Sequence, residues 1–402
     1  MKIAIIGGGV SGIITSICIE KKDAEIYILE RNKEPLKKLL LTGNGRCNYY
    51  NENQSLDCYH SHDKDILEQI LTKENLDKVE MFYDRLGIIP KIKKGYYYPN
   101  SNQAITIKNA LLEEVKQKNI HLLTNTYVEA IVEKQNQFII KTNQEEFIVD
   151  KVIVGTGSMS YPKTGSDGNG YQLLEKYHKI YKPLPALVPV ISNDKKLQKL
   201  SGVRCEVSLE LFEEDNFIKK EEGELQITDY GLSGICTFNL SSDISRGLEE
   251  GKKEEIKINF VPFIKTLISP YLDSFSKKHP KKTISSLLEG FLHDKVVSLL
   301  LEKSNINKDS YYQDLSNEEK MNLIHSLRHY KVEIIGTKGF DYSQTVTGGI
   351  SLKEINPHTL ESLKRKNLYV IGELLDMDGV CGGYNLTIAA LTGILVGEAI
   401  HD

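Results

Sequence analysis

The sequence lacks the long apolar runs that would assign it to the membrane-spanning proteins. Its longest apolar runs fall well short of the roughly 18 residues that a membrane-spanning helix needs. The first residues also show no basic segment followed by an apolar one, which is the pattern of a secretory leader. We therefore expect a cytoplasmic protein without a membrane partner.

Cysteine is scarce, and the spacing of the cysteines matches no disulfide or metal-binding motif. The 402 residues include six cysteines, which are Cys18, Cys47, Cys58, Cys205, Cys236 and Cys381. They form no CxxC pair and no Cys/His cluster, and the ten histidines are dispersed. This pattern predicts a reducing compartment without a disulfide framework, and no metal site.

Strong charge of either sign is also lacking. A formal net charge of −4 with 26% charged residues gives no overall signal for a nucleic-acid partner. Two local basic clusters stand out, one formed by Lys91, Lys93 and Lys94 and the other by residues 277–282. These basic loops could contact RNA phosphates, although such charge runs are usually solvated surface.

The strongest signal that is present lies in the first thirty residues. An isoleucine-rich run at residues 2–6 predicts a buried parallel strand, and GGGVSG follows with G-x-G-x-x-G spacing. Gly7 allows a tight turn, Gly9 lets backbone amides approach a pyrophosphate, and Gly12 lets the helix pack on its strand. Val10 and Ser11 belong to the same predicted cofactor-binding turn, and the apolar segment at residues 13–19 that follows predicts a helix whose positive end faces the phosphates.

A carboxylate follows at the expected distance. A second apolar run at residues 25–29 ends at Glu30, roughly 20 residues after the glycines, where a carboxylate can accept a hydrogen bond from a ribose 2′-OH. An acid here favours FAD or NAD over NADP. It does not separate FAD from NAD.

The rest of the first half alternates between helical and strand patterns. The sequence predicts a helix from Pro35, a helical region at 63–89, a loop at 91–101, a helix at 104–112, and strands at 120–123, 127–133, 137–141, 146–150 and 151–154. The last strand runs into Gly155, Thr156 and Gly157. This turn is either a second close approach to the dinucleotide or a plain turn.

An insertion then interrupts this pattern. Residues 187–240 read as short strands of an antiparallel sheet or barrel, and residues 262–330 read as helical. The dinucleotide-binding pattern resumes at 345–350, with a strand at 368–371 and a final helix at 386–400.

The cofactor is expected to be a single, tightly bound FAD. No second G-x-G-x-x-G occurs, and the glycine-rich unit near the end of the sequence is typical of FAD enzymes. There the positive N-terminus of the last helix would face the flavin N1 and C2=O edge and stabilise the anionic reduced ring.

Five motifs together carry a family resemblance. GGGVSG, LLLTGNGRCN, VGTGSMSYPKTGSDGNGY, TVTGGIS and GELLDMDGVCGGYN occur in this order. They resemble the BaiN-like, aminoacetone-oxidase-like flavoproteins, also called NAD(P)/FAD-dependent oxidoreductases. The resemblance implies an α/β fold, in which a Rossmann-like FAD-binding domain is interrupted by an inserted β-barrel-like domain and a small helical domain. The implied bounds are 1–188 and 344–402 for the FAD domain, 189–261 and 328–343 for the β domain, and 262–327 for the helical domain.

The resemblance also implies contacts with the cofactor. Arg46, Cys47 and Asn48 are expected near the flavin ring. The pyrimidine end is expected to be capped by Gly382, Gly383, Tyr384 and Asn385. Glu373, after Gly372, and Asp376 are expected near the ribityl chain or the pyrophosphate.

The implied chemistry is reduction of an activated C=C bond by hydride from flavin N5, with NADH or NADPH as transient reductant. A small-molecule enone and uridine in ribosomal RNA, which would become dihydrouridine, are both implied substrates. Cys47, Cys381 and Tyr384 are candidate proton donors, and for each of them packing or loop geometry is the alternative explanation. An FAD-dependent amine oxidase and a non-catalytic flavin redox or binding protein remain alternatives.

Overall fold

The computed structural model describes residues 1–400, which form two compact units. We call them the discontinuous unit, made of residues 1–184 and residues 343 onward, and the inserted unit, made of residues 185–342.

The strands are numbered in chain order. They are β1 Lys2–Ile6, β2 Glu25–Leu29, β3 Tyr50–Asn51, β4 Tyr59–His60, β5 Pro90–Lys93, β6 Tyr96–Pro99, β7 His121–Leu123, β8 Val128–Lys134, β9 Gln137–Thr142, β10 Glu146–Val149, β11 Lys151–Val154, β12 Ile180–Ala186, β13 Val190–Ser192, β14 Arg204–Glu213, β15 Asn216–Ile227, β16 Gly231–Ser233, β17 Glu254–Asn259, β18 Tyr330–Thr337, β19 Thr345–Ile350, β20 Leu368–Val370 and β21 Asp378–Gly379.

The α-helices are numbered in the same way. They are α1 Val10–Cys18, α2 Lys64–Ile70, α3 Lys73–Arg85, α4 Ala104–Gln117, α5 Asn169–Leu174, α6 Lys195–Gln198, α7 Ile235–Glu249, α8 Ile268–Lys278, α9 Ile284–Leu288, α10 Asp294–Lys303, α11 Asn317–Arg328 and α12 Tyr384–Ala399.

A five-stranded parallel sheet organises the discontinuous unit. Its strand order is β20-β11-β1-β2-β7, and every pairing is parallel. Ile5 in β1 lies between Ile28 and Ile153, and all three side chains are buried, as expected for a sheet covered on both faces. The chain builds outward from β1 in both directions, so the switch point that binds ligands in such sheets lies at the end of β1.

The first and last helices pack closely on each other. A Cβ at Gly393 in α12 would lie 2.6 Å from the backbone oxygen of Ser11, and one at Gly397 would clash with Cys18. The two glycines thus let α12 reach the backbone of α1. The predicted Rossmann-like fold of this unit is confirmed.

Two local predictions in this unit are wrong. Residues 91–101 are not a loop, because β5 and β6 form a hairpin in which Ile92 pairs with Tyr97. The predicted helix from Pro35 is a short 3-10 segment at Leu39–Gly45, with Gly43 and Asn44 at positive φ. A third prediction, the helical region at 63–89, is helical in the structure but consists of two helices, α2 and α3, which are separated at Leu71 and Thr72.

The inserted unit contains a closed barrel with the order β13-β16-β15-β14-β17-β18. Alternate side chains of its strands are buried, including Val207, Leu209 and Leu211 in β14. The predicted antiparallel sheet or barrel is confirmed. Helices α8 to α11 pack on the same hydrophobic core as the barrel, through residues such as Leu272 and Leu300. A separate helical domain at 262–327 stays a prediction.

No helix within residues 1–400 is both long and apolar enough to cross a membrane.

Candidate active site

The glycine turn after β1 has no room for a side chain at two of its positions. Gly7 has φ 111°, and a Cβ there would clash with the carbonyl oxygen of Gly155. A Cβ at Gly12 would clash with the carbonyl oxygen of Gly7. In contrast, a Cβ at Gly9 would meet nothing within 4 Å, and α1 begins there without a side-chain cap. The N-terminus of α1 therefore faces open space that a phosphate can fill.

Glu30 lies against this turn. Its Oε2 accepts a hydrogen bond of 2.8 Å from the Gly8 amide, and its Oε1 accepts from the Asn32 amide at 2.7 Å and from Asn32 Nδ2 at 2.8 Å. A carboxylate has about four acceptor positions. Glu30 is therefore fixed by three donors and still has capacity for a ribose hydroxyl.

The second glycine turn lies beside the first. The Gly155 amide donates to the Ile6 oxygen at 2.9 Å, and a Cβ at Gly155 would lie 3.3 Å from Ser11 Oγ. The Thr156 hydroxyl donates to the Gly157 oxygen at 3.2 Å. Both glycine turns thus lie at the carboxyl edge of the parallel sheet, where dinucleotides bind.

Glu373 belongs to a polar network at the same edge. Lys38 Nζ lies 2.8 Å from Oε1 and 2.6 Å from Oε2 of Glu373, and Ser158 Oγ donates to Oε2 at 2.8 Å. Gly372, at φ 66°, lies close to Ser11 Oγ. Sequence reasoning did not connect Lys38 and Ser158 with Glu373, because nothing local signals a contact across so many residues.

The N-terminus of α12 is formed by Gly382, Gly383, Tyr384 and Asn385. Gly383 has φ 100° and supplies no side-chain cap. Asn385 Nδ2 donates to the Gly379 oxygen at 2.7 Å, and its Oδ1 accepts from the Gly379 amide at 3.0 Å. Asn48 Oδ1 lies 3.0 Å from where a Gly383 Cβ would be, and this buried oxygen has no hydrogen-bond partner within residues 1–400.

Arg46 and Cys47 precede Asn48 but have different surroundings. Arg46 is exposed, with its guanidinium carbon 5.5 Å from the centre of the Tyr98 ring. Cys47 has φ 58° and is fully buried, and burial raises the pKa of its thiol to about 12. The thiol therefore keeps its proton at neutral pH.

The other two candidate proton donors lie at the start of α12. Tyr384 is buried against the edge of Tyr59, at 5.3 Å between ring centres. Burial, and after it the contact with Cys58, raises the pKa of Tyr384 above its usual value. Cys381 is partly exposed. The assignment of these residues to the reaction stays a prediction.

Asp376 belongs to a group of side chains that sequence reasoning missed. The carboxylate of Asp376 accepts from Ser61 Oγ at 3.1 Å and from the His62 amide at 2.8 Å, and His62 Nδ1 lies 3.1 Å from both of its oxygens. His60 Nδ1 lies 3.3 Å from Asp378 Oδ2. The signal in the sequence was the matching spacing of HxH in CYHSHD and DxD in LLDMDG.

These residues fit FAD. Two helix N-termini without side-chain caps, α1 and α12, suit the anionic pyrophosphate and the electron-rich edge of the flavin ring. The open space at Gly9 admits a phosphate, and the unpartnered Asn48 oxygen suits an N–H donor of the ring. No group of three or more His, Cys, Asp or Glu side chains able to hold a metal occurs in the described chain.

The fold and the site therefore define a Rossmann-type FAD-binding flavoprotein. The family model described as HI0933-like protein Rossmann domain matches residues 1–399, so the chain belongs to the HI0933-like protein family.

Of the similar proteins, two are named as reductases and one as a synthase. The chain is 35% identical over 405 aligned residues to a protein named 3-dehydro-bile acid delta(4,6)-reductase from Clostridium scindens, covering 100% of this chain and 99% of that protein. It is 26% identical to ribosomal RNA dihydrouridine synthase of Escherichia coli, over 95% of this chain and 93% of that protein. The solved structure of Escherichia coli quinol fumarate reductase FrdA aligns at a TM-score of 0.50 with 12% identity, over 100% of this chain and 70% of that one, which supports the fold alone. The protein is a flavin-dependent oxidoreductase, and the predicted family is confirmed.

Proposed function

We propose that this protein is an FAD-dependent reductase of an activated C=C bond in a small-molecule enone, with NADH or NADPH as its transient reductant. The observation that carries the proposal is the 35% identity to the 3-dehydro-bile acid delta(4,6)-reductase, which extends over 99% of that protein. The substrate of this chain belongs to the same chemical class, an unsaturated ketone.

The residues of the site have separate tasks in this proposal. Bound FAD supplies hydride transfer at flavin N5. The amides of α1 after Gly9 bind the pyrophosphate, and Glu30 accepts a hydrogen bond from the ribose. The N-terminus of α12 stabilises negative charge on the reduced ring, and Asn48 accepts from a ring N–H.

The substrate also needs a proton donor. That donor must come within hydrogen-bond reach of the substrate carbon, or act through one water. Cys47 and Tyr384 are buried, whereas Cys381 is partly exposed. Of these three candidates, Cys381 is therefore the most accessible to a substrate.

Uridine in ribosomal RNA is the second candidate substrate. Its support is the 26% identity to the dihydrouridine synthase, together with exposed Lys91, Lys93 and Lys94 on the β5–β6 hairpin. Against it, Asp77, Glu80 and Asp84 of α3 line the groove beside Pro90 and Tyr97 on the same hairpin. The acids would repel RNA phosphates, so the local charge is mixed rather than basic.

Anaerobic flavin spectroscopy tests the proposal. The FAD-loaded protein is mixed with NADH or NADPH until the visible flavin band bleaches, and the reduced protein is then mixed with a 3-oxo-Δ4,6 steroid or with unmodified ribosomal RNA. Recovery of the flavin band with the steroid supports the enone reductase. Recovery with RNA alone, with a steep salt dependence, would instead support the dihydrouridine synthase.

The same experiment separates the remaining alternatives. Flavin that an amine reduces without NADH or NADPH, with peroxide formed in air, would indicate an amine oxidase. Tightly bound flavin that neither nicotinamide nor an amine reduces would indicate a non-catalytic flavin protein. Either result contradicts the proposed reductase.

A further inference from the structure

Two histidine–aspartate pairs join the same two chain segments, one pair on a small antiparallel ladder and the other just beyond its end. Strand β4 pairs with β21 so that His60 is opposite Asp378, with His60 Nδ1 3.3 Å from Asp378 Oδ2. His62 and Asp376 lie two residues beyond the same end of this ladder, and His62 Nδ1 is 3.1 Å from both carboxylate oxygens of Asp376. The two imidazoles are thus each held through Nδ1.

The His62 pair has the more complete geometry. Asp376 is buried and also accepts from Ser61 Oγ and from the His62 amide. Because a carboxylate only accepts hydrogen bonds, the proton on the His62 ring lies on Nδ1 when the ring is neutral. Nε2 is then the nitrogen that takes up and releases the second proton, and it has no hydrogen-bond partner within residues 1–400.

The ring of His62 is both accessible and fixed in orientation. Its side chain is 39% exposed, compared with 14% for His60. The ring stacks on Tyr181 with 4.0 Å between ring centres and 8° between planes. Stacking on Tyr181 and the Asp376 contact at Nδ1 together fix the orientation of the ring and leave Nδ1, not Nε2, facing Asp376.

The ladder adjoins the predicted flavin site. Asp378 and Gly379 lead directly into the glycines at the start of α12, and the Asn385 side chain makes two hydrogen bonds to the Gly379 backbone. In the sequence, Asp376 itself lies between Glu373 and Gly382, and both of these residues are predicted to contact the cofactor. His62 is therefore held by the chain segment that also forms the predicted ring contact.

We propose that His62, oriented by Asp376, donates the proton that completes reduction of the substrate double bond. This inference rests on the proposed function. As hydride adds to one carbon, the π electron pair moves toward the carbonyl, and the neighbouring carbon then takes the proton from Nε2. The N–H bond of the imidazolium breaks, a C–H bond forms, and neutral imidazole remains. NADH or NADPH provides the hydride through bound FAD, and water reprotonates the imidazole.

Several charged and titratable groups surround His62. Asp376 lies at Nδ1, and the His60–Asp378 pair lies two residues away on each of the two segments. Asp63 follows in the chain and is paired with Lys353 Nζ at 3.1 Å. Tyr181 lies under the ring, and Lys179 Nζ is 4.4 Å from the centre of the Tyr181 ring.

Matched histidine variants test the assignment. In His62→Asn, the amide nitrogen can replace Nδ1 as donor to Asp376 but cannot supply a proton. NADPH should bleach the flavin of this variant at the wild-type rate, because that half-reaction requires no proton for the substrate. Reoxidation by the 3-oxo-Δ4,6 steroid should be slower by about 100-fold or more. His60→Asn is the matched control and should reoxidise within about threefold of the wild type, and Cys381→Ala is measured beside it because Cys381 is the competing candidate donor.

A second readout does not depend on turnover. Nitrogen NMR of protein with labelled histidine shows which ring nitrogen of His62 carries the proton in the oxidised, FAD-loaded form, and Asp376→Asn should change that tautomer. Reoxidation by the steroid should slow in the same variant. A His62 side chain with a purely structural role would not link the tautomer to the rate of reoxidation.

The outcomes distinguish this inference from the proposed function. Wild-type flavin that no enone reoxidises would refute the proposed function, and the His62 assignment with it. An active wild type with an equally active His62→Asn variant would refute the His62 assignment alone. Selective loss in Cys381→Ala would assign the proton to Cys381 instead, and selective loss in His60→Asn would assign it to His60.

Discussion

Lys38 and Glu373 form an ion pair of 2.6 Å although they lie 335 residues apart in the chain. Ser158 Oγ joins the same carboxylate oxygen at 2.8 Å, and Ser160 Oγ lies within 3.5 Å. One carboxylate therefore connects segments from the start, the middle and the end of the discontinuous unit. All of these segments carry predicted FAD contacts.

Removing one partner of this pair should destabilise the protein. Lys38→Met leaves a partly buried carboxylate without its cation, and we expect the free energy of unfolding to fall by about 1–3 kcal/mol. Urea unfolding of the FAD-free protein measures the change. Lys141→Met is the matched control, because its pair with Glu146 is exposed, and its effect should stay below about 0.5 kcal/mol. Equal effects of the two variants would show that the Lys38–Glu373 pair contributes no more than a surface pair.

Alanine substitutions at two glycines of the first turn should have different effects, one on the stability of the protein and the other on its affinity for FAD. Gly12→Ala would clash with the Gly7 carbonyl, so we expect a loss of about 1–3 kcal/mol in stability. Gly9 has φ −77° and ψ −176°, which alanine adopts readily, and its Cβ would enter open space. Gly9→Ala should therefore unfold like the wild type but bind FAD at least about tenfold more weakly, because the methyl group occupies the expected phosphate position.

Thermal unfolding of the FAD-free variants and fluorescence titration with FAD measure these two effects. Unchanged FAD affinity in Gly9→Ala would place the pyrophosphate elsewhere. If the Gly9→Ala variant unfolds well below the wild-type temperature, the methyl group must clash within the folded protein, and the turn would not be open space for a phosphate.

Neutralising Glu30 should weaken FAD binding. Glu30→Gln keeps the size of the side chain but replaces one strong acceptor by a donor, so the bonds from Gly8, Asn32 and the ribose cannot all persist. We expect FAD affinity to fall by roughly 10- to 100-fold, which corresponds to a charged hydrogen bond of about 1.5–3 kcal/mol. Isothermal titration of the apoprotein with FAD measures the change. Glu34→Gln, an exposed neighbour paired with Lys108, is the control and should bind FAD normally.

The fold was predictable where its signals are local. The strand at β1, the glycine turn and Glu30 follow one another within thirty residues, so their spacing alone carries the prediction. The closed barrel could be predicted only as a sheet or barrel, since strand order depends on long-range pairing. The loop predicted at 91–101 failed because Lys94-Gly95 forms the turn of a hairpin whose strand β5 is exposed along its whole length.

The site was less predictable because its polar contacts join distant segments. From the sequence, Lys38 is indistinguishable from a surface lysine, and only the fold shows that it pairs with Glu373. His60 and His62 read as dispersed histidines until β4 pairs with β21. Only the matching two-residue spacings of the histidines and aspartates could have suggested a shared ladder, and that spacing is too short to be specific.

Glu254 is an acid in the inserted unit that should control stability as a function of pH. Its side chain is buried in β17, neither oxygen has a hydrogen-bond partner in the described chain, and Glu213 lies nearby beside Gly247. Burial, and after it the negative charges of Glu213 and Asp243, raises its pKa to about 8, although Lys252 acts in the opposite direction. In the unfolded chain the same carboxyl has its ordinary pKa of about 4.3.

The sign of the effect follows from these two values. Below about pH 4 both states are protonated, and the full stability is present. Between about pH 4.3 and 8 the unfolded state releases the proton while the folded state holds it, so stability falls as pH rises. Above about pH 8 both states are ionised, and the contribution of Glu254 no longer changes.

The test compares the pH dependence of unfolding in Glu254→Gln and in the wild type. The wild type should lose roughly 2–4 kcal/mol of stability through this group between pH 5 and pH 9. Glu254→Gln has no titratable carboxyl group at this position. Its stability should therefore fall correspondingly less between pH 5 and pH 9 than that of the wild type, whatever its stability at pH 5. Glu222→Gln, which is exposed on the barrel strand β15, should follow the wild-type pH dependence. Parallel curves for Glu254→Gln and the wild type would mean that Glu254 ionises in the folded barrel at its ordinary pKa, which requires water or a cation to reach its carboxylate.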